Sequence, residues 1–160
     1  MIEPQVELSS TLLGKLANDA LDMIIVPDVY EDTTYKVCRL KTVKNAWMCT
    51  PEYVPEDEVL SFQNLSKFNV LTQNNLSGTR VIYERWFSQN NLKISRTLLS
   101  NSLVAQIGLT LSGIGISYLP VAAMKNHLDS GLILHVTPDL PEVQYAALYR
   151  ADRDSDYIVM

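Results

Sequence analysis

Apolar positions recur along the chain in two periods. Leu12, Leu13, Leu16 and Ala20 fall at helical spacing behind the run Ser9-Ser10-Thr11, whose hydroxyls suit helix capping. Val6 and Leu8 alternate with Gln5 and Glu7, which predicts a short strand before that helix. Leu21 to Val26 is a compact apolar run stopped by Pro27-Asp28, and predicts a buried strand with its C-terminal end open to function. Strand, helix, strand is the parallel crossover unit.

Further along, Tyr35 to Thr50 predicts two strands meeting near Val43-Lys44-Asn45. Pro51 and Pro55 bracket a loop, and Ser61 opens a short helix through Lys67. A strand from Phe68 to Leu71 runs through the polar turn TQNNLSGT into a helix from Thr79 to Gln89, burying Val81, Ile82, Trp86 and Phe87. Ile94 to Leu98 reads as the next strand. Ser100-Asn101-Ser102 opens a helix through Leu111 with Leu103, Val104, Ile107 and Leu111 on its apolar face. A strand Ile114 to Leu119, a helix Val121 to Leu128, and late strands at Leu132 to Val136 and Gln144 to Tyr149 complete the pattern. Alternating strands and helices predict an α/β fold with mainly parallel pairing.

The pair Gly113-Ile114-Gly115 invites a phosphate-loop reading, and the order of elements opposes it. A phosphate loop runs from strand through glycines into a helix N-terminus. Here the helix comes first and a strand follows. Gly113 fits the left-handed residue that ends a helix, and Gly115 a close backbone approach. Three other segments do leave a strand and enter a helix: Leu8 to Thr11, Leu71 to Thr79, and Leu98 to Ser102. Each sets hydroxyls or amides beside unpaired helix N–H groups, where an anion or a small polar ligand is stabilised. Ser and Asn are also ordinary helix caps, so a shared crevice is what would make these segments a site.

Composition narrows the classes. The 160 residues fit one domain or two small lobes, and 47% apolar with 19% charged residues fits a packed core. The net charge is −5, and the densest basic group, Lys36, Arg39, Lys41 and Lys44, alternates with apolar or small residues as a strand's polar face does. A phosphate-gripping surface is normally basic, so the chain is not expected to bind DNA by itself. No membrane span and no signal peptide are visible, and two cysteines, Cys38 and Cys49, fit free thiols in a reducing cytoplasm. His127 and His135 stand at no metal-ligand spacing, and GxSxG and HExxH are absent. Asp22, inside an apolar run, fits a structural hydrogen bond. No cofactor or metal is expected.

Leu16-Ala17-Asn18-Asp19-Ala20-Leu21-Asp22-Met23-Ile24-Ile25 resembles a signature of the effector-binding domain of LysR-type transcriptional regulators. Asn101 to Pro120, with Gly113-Ile114-Gly115-Ile116 and Leu119-Pro120, resembles that family's second signature. Ser77 to Phe87 and Ser130-Gly131-Leu132 follow in the expected order. The resemblance implies a periplasmic-binding-protein-like fold (type 2), with two α/β lobes joined by crossing strands and an effector between them. The first lobe would be residues 1–45 and 137–160, the second 46–136. Carried over by position, the effector-binding residues are Ser9, Ser10, Pro27 and Asp28 on the first lobe, and Leu99, Ser100 and Asn101 on the second. Asp19 departs from the family's usual Gly. The family's first strand and helix and its N-terminal winged helix-turn-helix lie outside this sequence, so the first lobe is expected to be incomplete.

The function so implied is sensing by a bacterial, cytoplasmic regulator, not catalysis. The partners would be a small-molecule effector, a carboxylate or other small anion, and a second copy in a homodimer or tetramer. DNA would be reached only through the absent N-terminal domain, and no membrane is involved. A transporter's solute-binding protein shares the fold but should carry a secretion signal. A small dehydratase-like enzyme would need an acid/base pair in the cleft.

Overall fold

The computed structural model describes residues 2–152 except 56, 62, 133, 137 and 138, and for 134–136 the backbone alone. The helices are α1 (Ser9–Ala17), α2 (Gly78–Gln89), α3 (Leu103–Leu111) and α4 (Val121–Asp129). The strands are β1 (Met23–Pro27), β2 (Tyr35–Val43), β3 (Asn45–Cys49), β4 (Val70–Gln73), β5 (Thr97–Ser100), β6 (Ile116–Pro120), β7 (Leu134–Val136) and β8 (Val143–Arg150). They form two sheets, ordered β1-β8-β2 and β5-β4-β6-β3-β7. The chain passes from the first sheet to the second at Lys44 and returns between β7 and β8.

Two expectations about pairing fail. No strand forms at Val6–Leu8; Val6 is fully exposed and finds no neighbour strand. The first sheet is therefore not a crossover unit, and β8 pairs antiparallel with both β1 and β2. Parallel pairing is confined to β4 with β5 and with β6, while β3 is antiparallel to β6 and β7. Element ends moved by one to three residues: the turn before β4 is a 3₁₀ turn at Leu65–Lys67, and β5 begins at Thr97.

The first sheet buries Ile24, Val26, Ala146 and Leu148 under Leu12 and Leu16 of α1. In the second sheet every residue of β3 is buried, because helices cover both faces of this central strand. Trp47 and Cys49 face a core with Tyr83, Phe87 and Tyr118; Ala46 and Met48 face Leu119 and Met124. Trp47 stacks on Phe87 at 5.9 Å and meets Tyr118 edge-on at 5.6 Å. Such pairs add about 0.5–1.5 kcal/mol each beyond their buried area. Helix α2 differs from expectation: Tyr83 and Phe87 are its buried side chains, while Val81, Ile82 and Trp86 are half-buried.

Helix α3 departs further. Val104 is 79% exposed, and the residues facing the sheet are Gln106 and Thr110. Gln106 donates through Nε2 to the Leu71 carbonyl (3.0 Å) and to Ser117 Oγ (3.2 Å); Thr110 donates to Ser117 Oγ (2.9 Å). A buried polar group left unmade costs about 1–3 kcal/mol, so this polar seam fixes the register of α3 against β4 and β6. Ile107 and Leu111 do turn inward, against the Met48–Met124 core.

The glycines behave as the order of elements predicts. Gly113 has φ +69 and ends α3, its N–H on the Thr110 carbonyl (3.0 Å). A Cβ at Gly115 would lie 2.6 Å from the Asn69 carbonyl oxygen, so β6 starts closer to β4 than any side chain allows. Asp19 takes φ 60 after α1, and its carboxylate pairs with Arg150 at 3.1 Å. No helix among the described residues is long and apolar enough to cross a membrane.

Burial pushes the Cys49 thiol up to about 11 and the Tyr118 hydroxyl up to about 12. Both folded values lie above the ordinary ones, 9.0 and 10.0, so the stabilisation is present in full below about pH 9 and lost as pH rises toward 12. The urea midpoint is expected to fall across that window. At pH 8 Ellman's reagent should titrate one thiol, exposed Cys38, in the native protein, and two in urea. Replacing Trp47 by Ala should cost about 3–5 kcal/mol in urea denaturation; a loss under 1 kcal/mol would mean that this core is not closely packed.

Candidate functional site

The starts of three helices meet at one cavity. Leu8 and Ser9 come from the start of α1, Ser77 and Thr79 from that of α2, and Leu103 and Gln106 from the first turn of α3. Pro27, Asn45, Gln73, Pro120 and Tyr145 supply strand ends from both sheets. The cavity holds about 170 Å³. Two of the segments singled out in the sequence, Leu8 to Thr11 and Leu71 to Thr79, supply these residues; Leu98 to Ser102 does not line the cavity, and α3 reaches it through Leu103 and Gln106. The N–H groups of a helix's first turn lack intrahelical partners, so each start turns a positive dipole end and donors toward this space.

At the edge of the cavity the two sheets' helices touch. Ser9 Oγ, 9% exposed, accepts from the Gly78 N–H at 3.2 Å, and the Ser10 N–H donates to the Leu76 carbonyl at 3.2 Å. A Cβ at Gly78 would lie 3.1 Å from Pro27 Cγ and 3.2 Å from Ser9 Oγ, so a side chain here would require those neighbours to give by a few tenths of an ångström. Ser9 was read as a cap of its own helix. It sits instead in the first turn of α1, and its hydroxyl serves the neighbouring helix. Tyr30 also hydrogen-bonds the Ser9 hydroxyl, and burial raises the pKa of the Tyr30 phenol.

The remaining wall mixes apolar side chains, Leu12 and Ile25 among them, with polar ones and is nearly uncharged. Ser77 Oγ donates to Gln73 Oε1 and accepts from the Arg80 N–H. Asn45 is buried and hydrogen-bonds Tyr83, whose hydroxyl burial pushes above the usual phenol range. Gln106 Oε1 is buried with no partner among the described residues. Glu7 is the one carboxylate in the wall, paired to Lys15 at 2.7 Å, and no Lys or Arg lines the cavity.

Of the seven residues expected at the effector site, Ser9 and Pro27 line the cavity and five do not. Ser10 contributes its N–H to Leu76. Asp28 turns to Arg39, Oδ2 to Nε 2.8 Å, because β2 presents that guanidinium beside the end of β1. Leu99 is 58% exposed on the edge strand β5. Ser100 Oγ donates to the Ser102 carbonyl (3.0 Å), closing the turn before α3, and Asn101 Oδ1 accepts from Asn74 Nδ2 at 2.6 Å. Asn45, Gln73, Tyr118 and Tyr145 were not anticipated. Gln73 to Thr79 lay within a segment already noted, but Asn45 and Tyr145 reach the cavity only because the chain crosses between sheets there. Among the described residues no His, Cys, Asp or Glu group could hold a metal ion.

A cavity between two sheets, part polar and part apolar and walled by helix starts, defines a two-lobed ligand-binding module of type 2 periplasmic-binding-protein-like fold. The chain belongs to the LysR substrate binding domain family, whose model matches residues 2–158. It is similar in structure to the effector-binding domain of QuiR in complex with shikimate: TM-score 0.75, 15% identity, over 91% of this chain and 70% of that one. The regulatory domain of CcmR from Synechocystis PCC6803, in complex with 2-PG, aligns with TM-score 0.78 and 15% identity over 94% and 74%. The bromide-bound regulatory domain of HypT from Salmonella typhimurium aligns with TM-score 0.71 and 18% identity over 91% and 71%. No curated protein sequence matches the chain.

Replacing Ser9 by Ala strands the buried Gly78 N–H, and should cost about 1–3 kcal/mol in urea denaturation. An unchanged midpoint would mean that solvent reaches this contact and that it does not hold the sheets together.

Proposed function

We propose that this chain is the ligand-sensing domain of a LysR-type regulator, and that its effector sits in the cavity walled by the starts of α1, α2 and α3. The convergence of those three helix starts on one space, with hydroxyls and amides set among apolar side chains, carries the reading. The lobes are residues 1–45 with 137–160, and 46–136, joined where the chain crosses at Lys44 and before β8. The effector is a small anion bearing hydroxyls. Shikimate in QuiR, 2-PG in CcmR and bromide in HypT are the ligands named for the similar domains. With no cation in the wall, an anion here depends on helix N–H groups and on Ser9, Ser77, Thr79 and Gln73. The volume, close to the roughly 150 Å³ of a cavity that holds benzene, sets the size at about one ring.

Ser9 and Pro27 touch the effector. Ser10, Asp28, Ser100 and Asn101 shape the segments around it, and Leu99 stands on the outer edge. Binding favours one arrangement of the lobes, and a DNA-binding domain elsewhere in the regulator reads that bias as a population shift. In HypT, described in full length as a LysR-type transcriptional regulator, the matched region is 52% of the chain. A second copy of the chain is the partner through which that bias passes.

Thermal shift against small hydroxylated carboxylates and inorganic anions, each beside a neutral amide or ester analogue, tests this. A ligand at about 100 times its Kd adds roughly 2.7 kcal/mol, or about 5–10 °C in Tm. No shift with any compound would end the sensing reading; equal shifts with neutral analogues would end the anion. Gln73→Ala should weaken a bound effector about tenfold and Asn101→Ala by less. The reverse order would move the site toward the β5–α3 turn.

A further inference from the structure

Tyr118 also borders a second cavity, between α2 and the strands β4, β5 and β6, holding about 350 Å³. That is more than twice the roughly 150 Å³ that accepts benzene. One end is apolar, with Phe87, Leu92 and Ile94. The other carries the Thr72 and Tyr118 hydroxyls, 4% and 5% exposed as residues and hydrogen-bonded to each other, beside Arg80 and Glu84. Arg80 donates from Nε to Glu84 (2.6 Å) and from Nη1 to the Gln73 carbonyl (2.9 Å).

We infer that this cavity is a second small-molecule site, taking an uncharged ligand with a ring-sized apolar body and one hydroxyl or carbonyl head. The Arg80–Glu84 pair has no net charge: an anion would meet the Glu84 carboxylate and a cation the Arg80 guanidinium. The two hydroxyls use one hydrogen between them, which leaves one to donate and lone pairs to accept. Such a mix of apolar wall and a few convergent polar groups is the general form of a small-molecule pocket. Tyr118 is wall to both cavities, so a molecule held here touches a side chain that also borders the cleft. The site itself stands whether or not the cleft takes an effector.

4-Bromophenol is the probe, titrated calorimetrically into the whole chain and soaked into crystals so that bromine can be located by anomalous scattering. The expected result is one bromine between Phe87 and Ile94. Thr97→Phe, which adds a ring at the exposed rim of this cavity, should abolish binding while the circular dichroism spectrum and Tm hold. Thr72→Val, nearly isosteric, should weaken binding about tenfold by removing one polar partner, and carries the test if Thr97→Phe fails to fold. Bromine in the cleft, binding unchanged in the folded variants, or no heat at millimolar probe would each overturn the site.

Discussion

The closeness of α2 to α1 and β1 at Gly78 is the constraint on which the cavity depends. Two hydrogen bonds and one contact with Pro27 join elements of different sheets there. Their total is small beside the cores, but they act at the point that sets the width of the cleft. Each also consumes a donor or acceptor that a ligand would otherwise use. A binding module must hold its lobes near one another and still exchange arrangements at modest cost. A few neutral hydrogen bonds, each worth about 1 kcal/mol, meet both requirements better than a buried ion pair.

Charge is placed accordingly. Apart from Arg80 with Glu84, several of the described ion pairs lie toward the surface, among them Asp28 with Arg39, Lys15 with Glu7, and Asp19 with Arg150. Exposed pairs contribute little to stability. Their effect is to take charged side chains out of play near the cavity, Asp28 above all. What remains inside, beside apolar side chains such as Leu12 and Ile25, is hydroxyl, amide and phenol, groups that tolerate burial when each finds a partner. Gln106 Oε1 is the exception, a buried acceptor in the first turns of α3 with no partner among the described residues. A bound water or a ligand donor would complete it, at the junction of the polar seam with the cleft.

The chain's local signals determined much of this molecule. Hydroxyls ahead of apolar helical spacing located α1 and α3 to within two or three residues. The Gly-then-strand order excluded a phosphate loop, and the ordered motifs pointed to the family to which the chain belongs. These rest on interactions within a few residues of one another, such as capping bonds, left-handed glycines and short-period burial, so they survive without knowledge of the fold. That the segments leading into α1 and α2 share one cavity could be named as a condition but not observed.

Tertiary structure alone decided the rest. Whether Val6 and Leu8 form a strand depends on a neighbour for their backbone groups, and none stands there among the described residues. Whether Gln106 or Val104 faces the sheet depends on Ser117 and the Leu71 carbonyl, which offer hydrogen bonds where hydropathy counts only apolar surface. Asp28, expected at the cleft from its position, pairs with Arg39, which β2 sets beside it. Asn45 and Tyr145 joined the cavity through the crossing of the chain, a relation between residues 100 positions apart. Burial, pairing and charge placement are sums over neighbours distant in sequence, and for that reason spacing along the chain located the helix starts but not the full set of side chains that surround the space between them.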